Sequence, residues 1–287
     1  MTKLLYLECT SGISGDMCAA ALLDAGASEE AVRRALESLP VEGFAVEISR
    51  VKKSGLDVCD FSVVLDAAHE NHDHDMAYLH GHGGASEHGH GHDHDRDHGR
   101  AHDHDHAHGA PGGHHHRGPA EIAQIIDGAA MTDGAKAIAH RMFGFVADAE
   151  ARAHGVPVGE VHFHEVGAVD SIADIIAIAV AADDLAPDGV VVSDLPCGYG
   201  TVRCQHGLIP VPAPATAFIA EAAGLTLSPV DVEGELVTPT GAAAAAALRT
   251  EAALPERFSI KAIGMGAGKR AYDTPGILRA MIIEPAE

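Results

Sequence analysis

Apolar and polar positions in the first 66 residues follow two different periods. Apolar residues that recur every three or four positions predict amphipathic helices, and strict alternation predicts half-buried strands. In chain order, the pattern predicts a strand over residues 3–8, helices over 16–25 and 28–39, and strands around 44–48 and over 60–66. Gly26 follows the first helix and Pro40 the second, as residues that end helices often do. We expect the last two strands to pair with each other.

The same periods return after Pro119, a residue that favours the first turn of a helix. A longer helix over 133–153 has Ile138, Met142 and Val146 on its buried face and Gly155 at its end. The pattern then predicts, in order, a helix ending near 185, a strand over 189–194, a Gly-rich loop, extended segments over 201–204 and from 208, a helix opening at 214, an Ala-rich helix over 241–252, and closing strands over 259–263 and 277–283.

This order of elements predicts a mixed α/β fold in which helices pack on small sheets. The segment between the two patterned stretches is almost free of apolar residues, so it cannot bury enough surface to offset the entropy of ordering. We therefore expect three parts: an N-terminal α/β lobe over 1–68, a disordered loop over 69–118, and a larger α/β lobe over 119–287 that packs with the first.

Composition and charge argue against two classes of partner. The chain carries 19 Lys and Arg against 42 Asp and Glu, a formal charge of −23, and has no basic stripe to neutralise nucleic-acid phosphates. Its longest apolar run, residues 175–182, is far shorter than the roughly twenty residues of a membrane-spanning helix. The five cysteines form no CxxC pair, which fits reduced thiols. We expect a cytoplasmic protein without nucleic-acid or membrane partners, and we also expect a homo-oligomer.

The predicted loop carries 17 of the 22 histidines, between His69 and His116. Imidazoles beside carboxylates suit nickel, copper, zinc or cobalt better than hard cations. Many overlapping weak sites on a flexible segment favour capture of metal over catalysis. The alternative is a soluble spacer whose histidines merely titrate. The loop ligands that we name as candidates are His92, His94, His102, His104, His106 and His108.

A sharper local signal is the segment VHFHEVGAVDSIADI, residues 161–175. On an extended chain His162 and His164 point the same way, and Glu165 follows them at a bend, so two metal ligands and a carboxylate converge. Asp170 lies where the next helix should begin and shares a helical face with Asp174. We predict metal ligation by His162, His164 and Asp170. The plainer alternative is that Asp170 or Ser171 caps the helix.

A second candidate metal site lies in DLPCGYGTVRCQHG, residues 194–207, where Cys204 and His206 are two positions apart. We predict that His206, in a polar turn, binds metal. Cys197 and Cys204 would hold nickel or zinc as thiolates, but free cysteines also serve as small buried apolar residues. The sequence leaves these two roles open.

Two Gly-rich segments have the composition of anion-binding loops. TSGISGD places Ser11, Gly12, Ser14 and Gly15 before a helix N-terminus, where backbone amides bind phosphate. Capping of the helix by Ser14 or Asp16 is an equal alternative. GMGAGKR adds Lys269 and Arg270 beside glycines that allow close backbone approach; a solvated loop is the alternative. In VTPTGAA, Thr238 and Thr240 precede an Ala-rich helix, and capping explains them.

Together, LECTSGISGDM, HFHEVGAVDSIADI, the stretch from CGYGTV to HGLIPVPAPAT, GELVTPTGAA, the internal His-rich loop and GAGKRAYDTPGILR resemble the LarC nickel-insertion family over nearly the whole chain. The resemblance implies insertion of Ni(II) into pyridinium-3,5-bisthiocarboxylic acid mononucleotide, driven by CTP with Mg or Mn. The product would be the nickel-pincer cofactor of lactate racemase-type enzymes, which act downstream. Many family members continue into a C-terminal domain associated with CTP handling, so we expect this chain to need such a partner domain.

On this hypothesis, His162, His164 and Glu165 divide the catalytic roles, while Lys269, Arg270 and the turn from Ser11 to Gly15 hold the substrate phosphate. Two other functions stay open. One is a nickel store or metallochaperone without catalysis of its own. The other is a metal-dependent hydrolase or nucleotidyltransferase that uses the HFHE motif and Asp170.

Overall fold

A computed structural model of the protein describes residues 2–66, 117–161, 163, 169–204 and 207–286. Within these ranges the chain forms seven α-helices: α1 (Gly15–Asp24), α2 (Glu29–Glu37), α3 (Pro119–Gly128), α4 (Asp133–His154), α5 (Val169–Leu185), α6 (Pro214–Ala223) and α7 (Pro239–Leu248). The strands are β1 (Leu4–Glu8), β2 (Phe44–Lys53), β3 (Leu56–Leu65), β4 (Gly189–Val192), β5 (Leu195–Tyr199), β6 (Thr201–Cys204), β7 (Gly207–Pro210), β8 (Leu227–Glu233), β9 (Phe258–Ala267) and β10 (Ile277–Pro285).

Six of these strands form one sheet in the order β2-β3-β9-β10-β1-β4. β1 lies between antiparallel β10 and parallel β4, and β3 joins β9 in parallel where Cys59 pairs with Gly266. Two small sheets pair β5 with β8 and β6 with β7. Strands before and after the His-rich segment therefore share one sheet, and the stretches 2–66 and 117–286 share one hydrophobic core.

Helix α1 packs directly on β9 because glycines leave room for its backbone. A Cβ on Gly266 would lie 2.0 Å from the carbonyl oxygen of Met17, and a Cβ on Gly264 would lie 2.0 Å from that of Ala21. Small residues on both elements thus bring helix and sheet into backbone contact, which larger side chains would prevent. This packing fixes where the N-terminus of α1 lies relative to the β9–β10 loop.

Helix α5 forms the centre of the core, and its apolar side chains are buried on nearly every face. It contacts α1, α2, α4 and the Ala-rich α7. A helix that is apolar all round is stable in water only when other elements surround it. Because α5 is enclosed in this way, the direction of its first turn is set by the packing of the whole core.

Most of the predicted elements are confirmed. α2 begins after Ser28, whose hydroxyl accepts a hydrogen bond from the Ala31 amide at 3.2 Å. α4 ends at Gly155, which has a left-handed backbone with φ of 66°. α6 opens at Pro214 as predicted. The pairing of β2 with β3 is also confirmed, although β3 starts earlier than expected, at Leu56.

Two strands were missed because Gly and Pro obscured them. The stretch predicted as a Gly-rich loop contains β5, and β8 was not predicted at all. β8 contains Pro229, which lacks the N–H of a ladder hydrogen bond and is tolerated only at edges of sheets. A Cβ on Gly198 of β5 would lie 2.3 Å from the Gly234 carbonyl oxygen, so this glycine permits close approach rather than a loop. The Ala-rich helix was also predicted too long, since α7 ends at Leu248.

Candidate functional site

Several predicted site residues lie outside the described residues. They are His162, His164, Glu165, His206 and the loop histidines His92, His94, His102, His104, His106 and His108. The described residues in and next to the HFHE motif are packed in the core. Val161 and Phe163 are buried, and the ring of Phe163 packs on that of Phe143 with centroids 5.3 Å apart. On the other side of the motif, α5 begins at Val169.

The first turns of α1 and α5 meet at a pair of carboxylates. Asp16 lies in the first turn of α1, and Asp174 lies one turn inside α5, beyond Asp170. A Cβ on Gly15 would lie 2.2 Å from Asp174 Oδ2, so the side chain of Asp174 fills the space that this glycine leaves open. Asp170, the second residue of α5, accepts a hydrogen bond from the adjacent Ser171 amide at 2.9 Å.

The surroundings of this pair favour its protonated form. Burial raises the pKa of Asp174 well above the ordinary value, and the negative charges of Asp16 and Asp170 raise it further. Burial also raises the pKa of Asp16, although hydrogen bonds from the Ser14 hydroxyl and the Met17 amide partly oppose that effect. Two half-buried carboxylates this close resist double ionisation, because like charges repel strongly where water is scarce. The pair can therefore take up or release a proton, or accept a nearby positive charge.

Cationic residues border the carboxylates on the side of the β9–β10 loop. The ammonium of Lys269 donates to Asp60 of β3. That of Lys53, the last residue of β2, donates to the carbonyl oxygens of Gly268 and Arg270. The charges of Asp16 and Asp60 both act on Lys53. Carboxylates from α1, α5 and β3 thus face lysines from β2 and the β9–β10 loop.

Arg270 is held in a less exposed place than its neighbour Lys269. Its guanidinium donates to Glu235 Oε2 at 2.7 Å and to the Tyr272 hydroxyl at 3.3 Å, and Glu235 is only 7% exposed. Burial lowers the pKa of Arg270, but the charges of Glu235 and Tyr272 and the hydrogen bonds to both together outweigh that effect and raise the pKa. This ion pair joins the β9–β10 loop to the segment that follows β8.

The turn from Ser11 to Gly15 uses part of its hydrogen-bonding capacity within the protein. The Gly12 amide donates to the Cys9 carbonyl oxygen at 2.8 Å and the Ile13 amide to that of Leu236 at 3.0 Å. Gly12 has φ of 108°, a conformation that favours glycine, and a Cβ there would lie 2.3 Å from the Leu236 oxygen. The Ser14 hydroxyl donates to Asp16. Phosphate binding by Ser11, Gly12, Ser14 and Gly15 stays a prediction.

The cysteines divide into two groups. Cys9, Cys18 and Cys59 are buried, and burial raises the pKa of Cys9 to about 12 and that of Cys59 to about 11, so they are thiols at neutral pH. Cys197 and Cys204 are half-buried. Within the described ranges, His, Cys, Asp and Glu side chains form no group of three or more that could hold a metal ion. Thr238 caps α7 through the Gly241 amide at 3.1 Å, as predicted.

Lys53, Asp60 and Glu235 escaped the sequence analysis although they contact the predicted cations Lys269 and Arg270. Asp60 and Lys53 are 209 and 215 residues from their partners in this loop. No motif or spacing connects them, because only the pairing of β3 with β9 brings them together. For Glu235, its place between Gly234 and a buried Leu-Val pair was the one available signal.

A comparison with protein-family models matches residues 5–287 to the model described as nickel insertion protein. The chain belongs to the nickel insertion protein family. This confirms the resemblance to LarC that the motifs indicated, and it extends from β1 to the end of the chain. No solved structure matches the chain. Among the helices of the described residues, none has the length and apolar character needed to cross a membrane.

Curated members of the nickel insertion family match almost the entire chain. A protein of Alkaliphilus metalliredigens named pyridinium-3,5-bisthiocarboxylic acid mononucleotide nickel insertion protein is 47% identical over 286 residues, which are 99% of this chain and 61% of that protein. A protein of the same name from Geobacillus kaustophilus is 37% identical, and the match covers 98% of this chain and 60% of that protein. A putative nickel insertion protein of Geobacter sp. is 38% identical, and the match covers 99% of this chain and 62% of that protein. The chain thus spans about 60% of the length of these relatives.

Proposed function

We propose that this chain takes part in inserting nickel into pyridinium-3,5-bisthiocarboxylic acid mononucleotide, which yields the nickel-pincer cofactor. The observation that carries the proposal is the family match over residues 5–287, together with relatives whose names state this substrate. Nickel is here a substrate, and the thiocarboxylated mononucleotide is the other. We further propose that the reaction belongs to the lyase class and consumes CTP with Mg or Mn, as the resemblance to LarC implies.

Formation of a nickel–carbon bond requires that a proton leave the pyridinium ring. A base must therefore stand beside a metal ion whose charge stabilises the carbanion that develops. We assign metal ligation to His162, His164, Asp170 and His206 and the base to the same HFHE motif, with Glu165 as the carboxylate among its candidates. Asp170 supports this assignment because it lies in the first turn of the helix that follows the motif.

The carboxylates near the start of α5 suit the arrival of a divalent cation. The charges of Asp16 and Asp170 both act on Asp174, and burial raises the pKa values of Asp16 and Asp174. A positive ion that approaches would favour their ionised forms and release a proton. Their proposed role is therefore to attract nickel toward the HFHE motif.

We propose that the phosphate of the mononucleotide binds near Lys269 and Arg270. Both cations are charge-balanced by Asp60 and Glu235, so a phosphate has to compete with a carboxylate at Lys269, whose side chain is 44% exposed. The side chain of Arg270 is less exposed, at 26%, so its proposed contribution is its positive charge and the ion pair that holds the β9–β10 loop in place. The turn from Ser11 to Gly15 is the second proposed phosphate contact.

The His-rich segment supports a second candidate function, storage or delivery of nickel without catalysis. Its 17 histidines provide many overlapping weak sites, and such a store needs no active site. The two functions differ in one respect that can be measured. A store binds nickel but forms no product, whereas an insertion protein turns over its organic substrate.

The test is a reconstitution with purified components. The full chain is incubated with nickel, CTP, Mg or Mn and the thiocarboxylated mononucleotide, and the nickel-bearing product is detected by mass. A parallel reaction adds the remaining part of a full-length relative as a separate polypeptide. Product in either reaction supports the proposal, and product only in the second would assign the CTP step to the partner domain. Nickel binding without product in both reactions would leave storage as the function.

A further inference from the structure

The loop between β9 and β10, residues 268–276, carries both Lys269 and Arg270 and is called here the cationic loop. Its base is closed by a hydrogen bond from the Gly268 amide to the Gly276 carbonyl oxygen at 2.9 Å. On either side of the loop, nine residues of β9 pair with the nine residues of β10. The shape of the loop itself therefore depends on contacts from outside β9 and β10.

One such contact comes from Lys53, at the end of β2 and next to the turn that leads to β3. Its ammonium donates to the carbonyl oxygen of Gly268 and, at 3.0 Å, to that of Arg270. These two carbonyls stand on either side of Lys269 in the chain. A single side chain thus clamps the backbone on both sides of the residue that is proposed to meet the phosphate.

The clamp is closely packed around the side chain of Lys53. A Cβ on Gly276 would lie 2.8 Å from Lys53 Cε, so the stem of the lysine passes directly over the end of the loop. The neighbouring Ser54 hydroxyl donates to the Pro275 carbonyl oxygen at 3.5 Å. The β2–β3 turn therefore supports the cationic loop at both of its ends.

The ammonium of Lys53 is half-buried, and the charges of Asp16, Asp60 and Lys269 all act on it. Burial lowers the pKa of Lys53, while the charges of Asp16 and Asp60 oppose that effect. Two carbonyl oxygens give a half-buried ammonium the hydrogen bonds that water would otherwise supply. Lys52, the adjacent residue, is different: its side chain is 71% exposed and lies 3.3 Å from Asp57.

We propose that Lys53 is a positioning residue, which holds the cationic loop so that Lys269 and Arg270 meet the phosphate of the substrate. This inference rests on the proposed function for the identity of the substrate, but not for the clamp itself. Lys53 need not touch the substrate. It acts by limiting the conformations of the loop, so that less ordering remains to be done when the phosphate binds.

The test compares Lys53→Met with Lys52→Met, since both remove an ammonium from the same strand and keep the length of the side chain. In the full chain without substrates, amide hydrogen exchange of residues 268–276 should become at least about tenfold faster in K53M and stay as in the original chain in K52M. In the reconstituted reaction, the KM for the mononucleotide should rise about tenfold in K53M, with kcat within about threefold. Lys53→Arg keeps a cationic donor, so its loop exchange rate and its KM should both lie between those of K53M and the original chain.

The two readouts separate this inference from the proposed function. If the original chain forms no product, hydrogen exchange still tests the clamp. If K53M matches K52M in loop exchange, or in KM when the original chain is active, Lys53 is not a positioning residue. A loss of kcat alone would also overturn the inference. Should K53M fail to fold, Lys53→Gln carries the same comparison.

Discussion

Asp174 lies against Gly15, so closely that a Cβ on Gly15 would stand 2.2 Å from Asp174 Oδ2. The glycine at the start of α1 thereby makes room for a carboxylate from α5. Because Asp16 follows Gly15 directly, this contact also brings two carboxylates together. Burying two ionised carboxylates side by side costs stability, and such pairs are frequent at functional sites.

Replacing Asp174 by Asn should stabilise the protein at about pH 7 and impair nickel insertion. The folded-state pKa of Asp174 is raised, so folding is favoured below the unfolded pKa, about 3.9, and this contribution is lost as the pH rises through the folded pKa. At neutral pH the Asn variant escapes that cost. We expect a rise in Tm of about 2–4 °C near pH 7 and little change near pH 4.

The matched control is Asp148→Asn, at an exposed position of α4. Its Tm should differ from that of the original chain by less than about 1 °C at either pH, as is usual for surface changes. Thermal unfolding followed by circular dichroism makes the comparison. A D174N protein that is no more stable near pH 7 than D148N would contradict the cost assigned to the carboxylate pair.

The double substitution His162→Ala with His164→Ala should lower insertion at least about a hundredfold, since it removes two proposed metal ligands and candidate bases. His140→Ala with His154→Ala is the control. These two histidines lie on α4 beside Asp127 and Glu150, at 2.7 and 3.4 Å, and have no proposed role. Product formation in the reconstituted assay decides. Equal activity of the two double variants would remove the HFHE motif from the active site.

The histidines of residues 69–116 should serve nickel capture rather than catalysis. Replacing all 17 by Ser keeps the length of the segment and should sharply reduce the number of nickel ions bound per chain, measured by equilibrium dialysis. At saturating nickel, insertion should fall by no more than about threefold, because mass action then replaces local capture. Abolished insertion at saturating nickel would instead place ligands of the productive ion in this segment.

Replacing Gly266 by Ala should destabilise the fold, because the new methyl group would meet the backbone of α1 at Met17. Overpacking of this kind costs about 1–3 kcal/mol, and backbone cannot yield as a flexible side chain does. Gly144→Ala is the control: this residue of α4 has open space around its Cβ position, and the change should stabilise the helix by about 0.5–1 kcal/mol. In urea unfolding, the midpoint concentration of urea should fall for G266A and rise for G144A.

Local chemistry made part of this molecule predictable. Pro214 starts α6, Gly155 ends α4 and Thr238 caps α7, because each depends on the residue and its near neighbours. The strands that the sequence analysis missed depend instead on the surrounding structure. β5 and β8 carry Pro and Gly that normally weaken strands, and they form a small parallel sheet that only the surrounding structure stabilises.

By itself, the sequence determined the family, the helices and most strands, and the residue types that suit a late first-row metal. Periodicity, caps and motifs are local properties, so they can be recognised in the sequence without knowledge of the fold. Only the tertiary structure decided that Asp174 meets Gly15 and that Lys53 clamps the loop of Lys269, 216 positions away along the sequence. Those contacts arise from close backbone packing of α1 on β9 and from the pairing of β3 with β9, which no local pattern encodes.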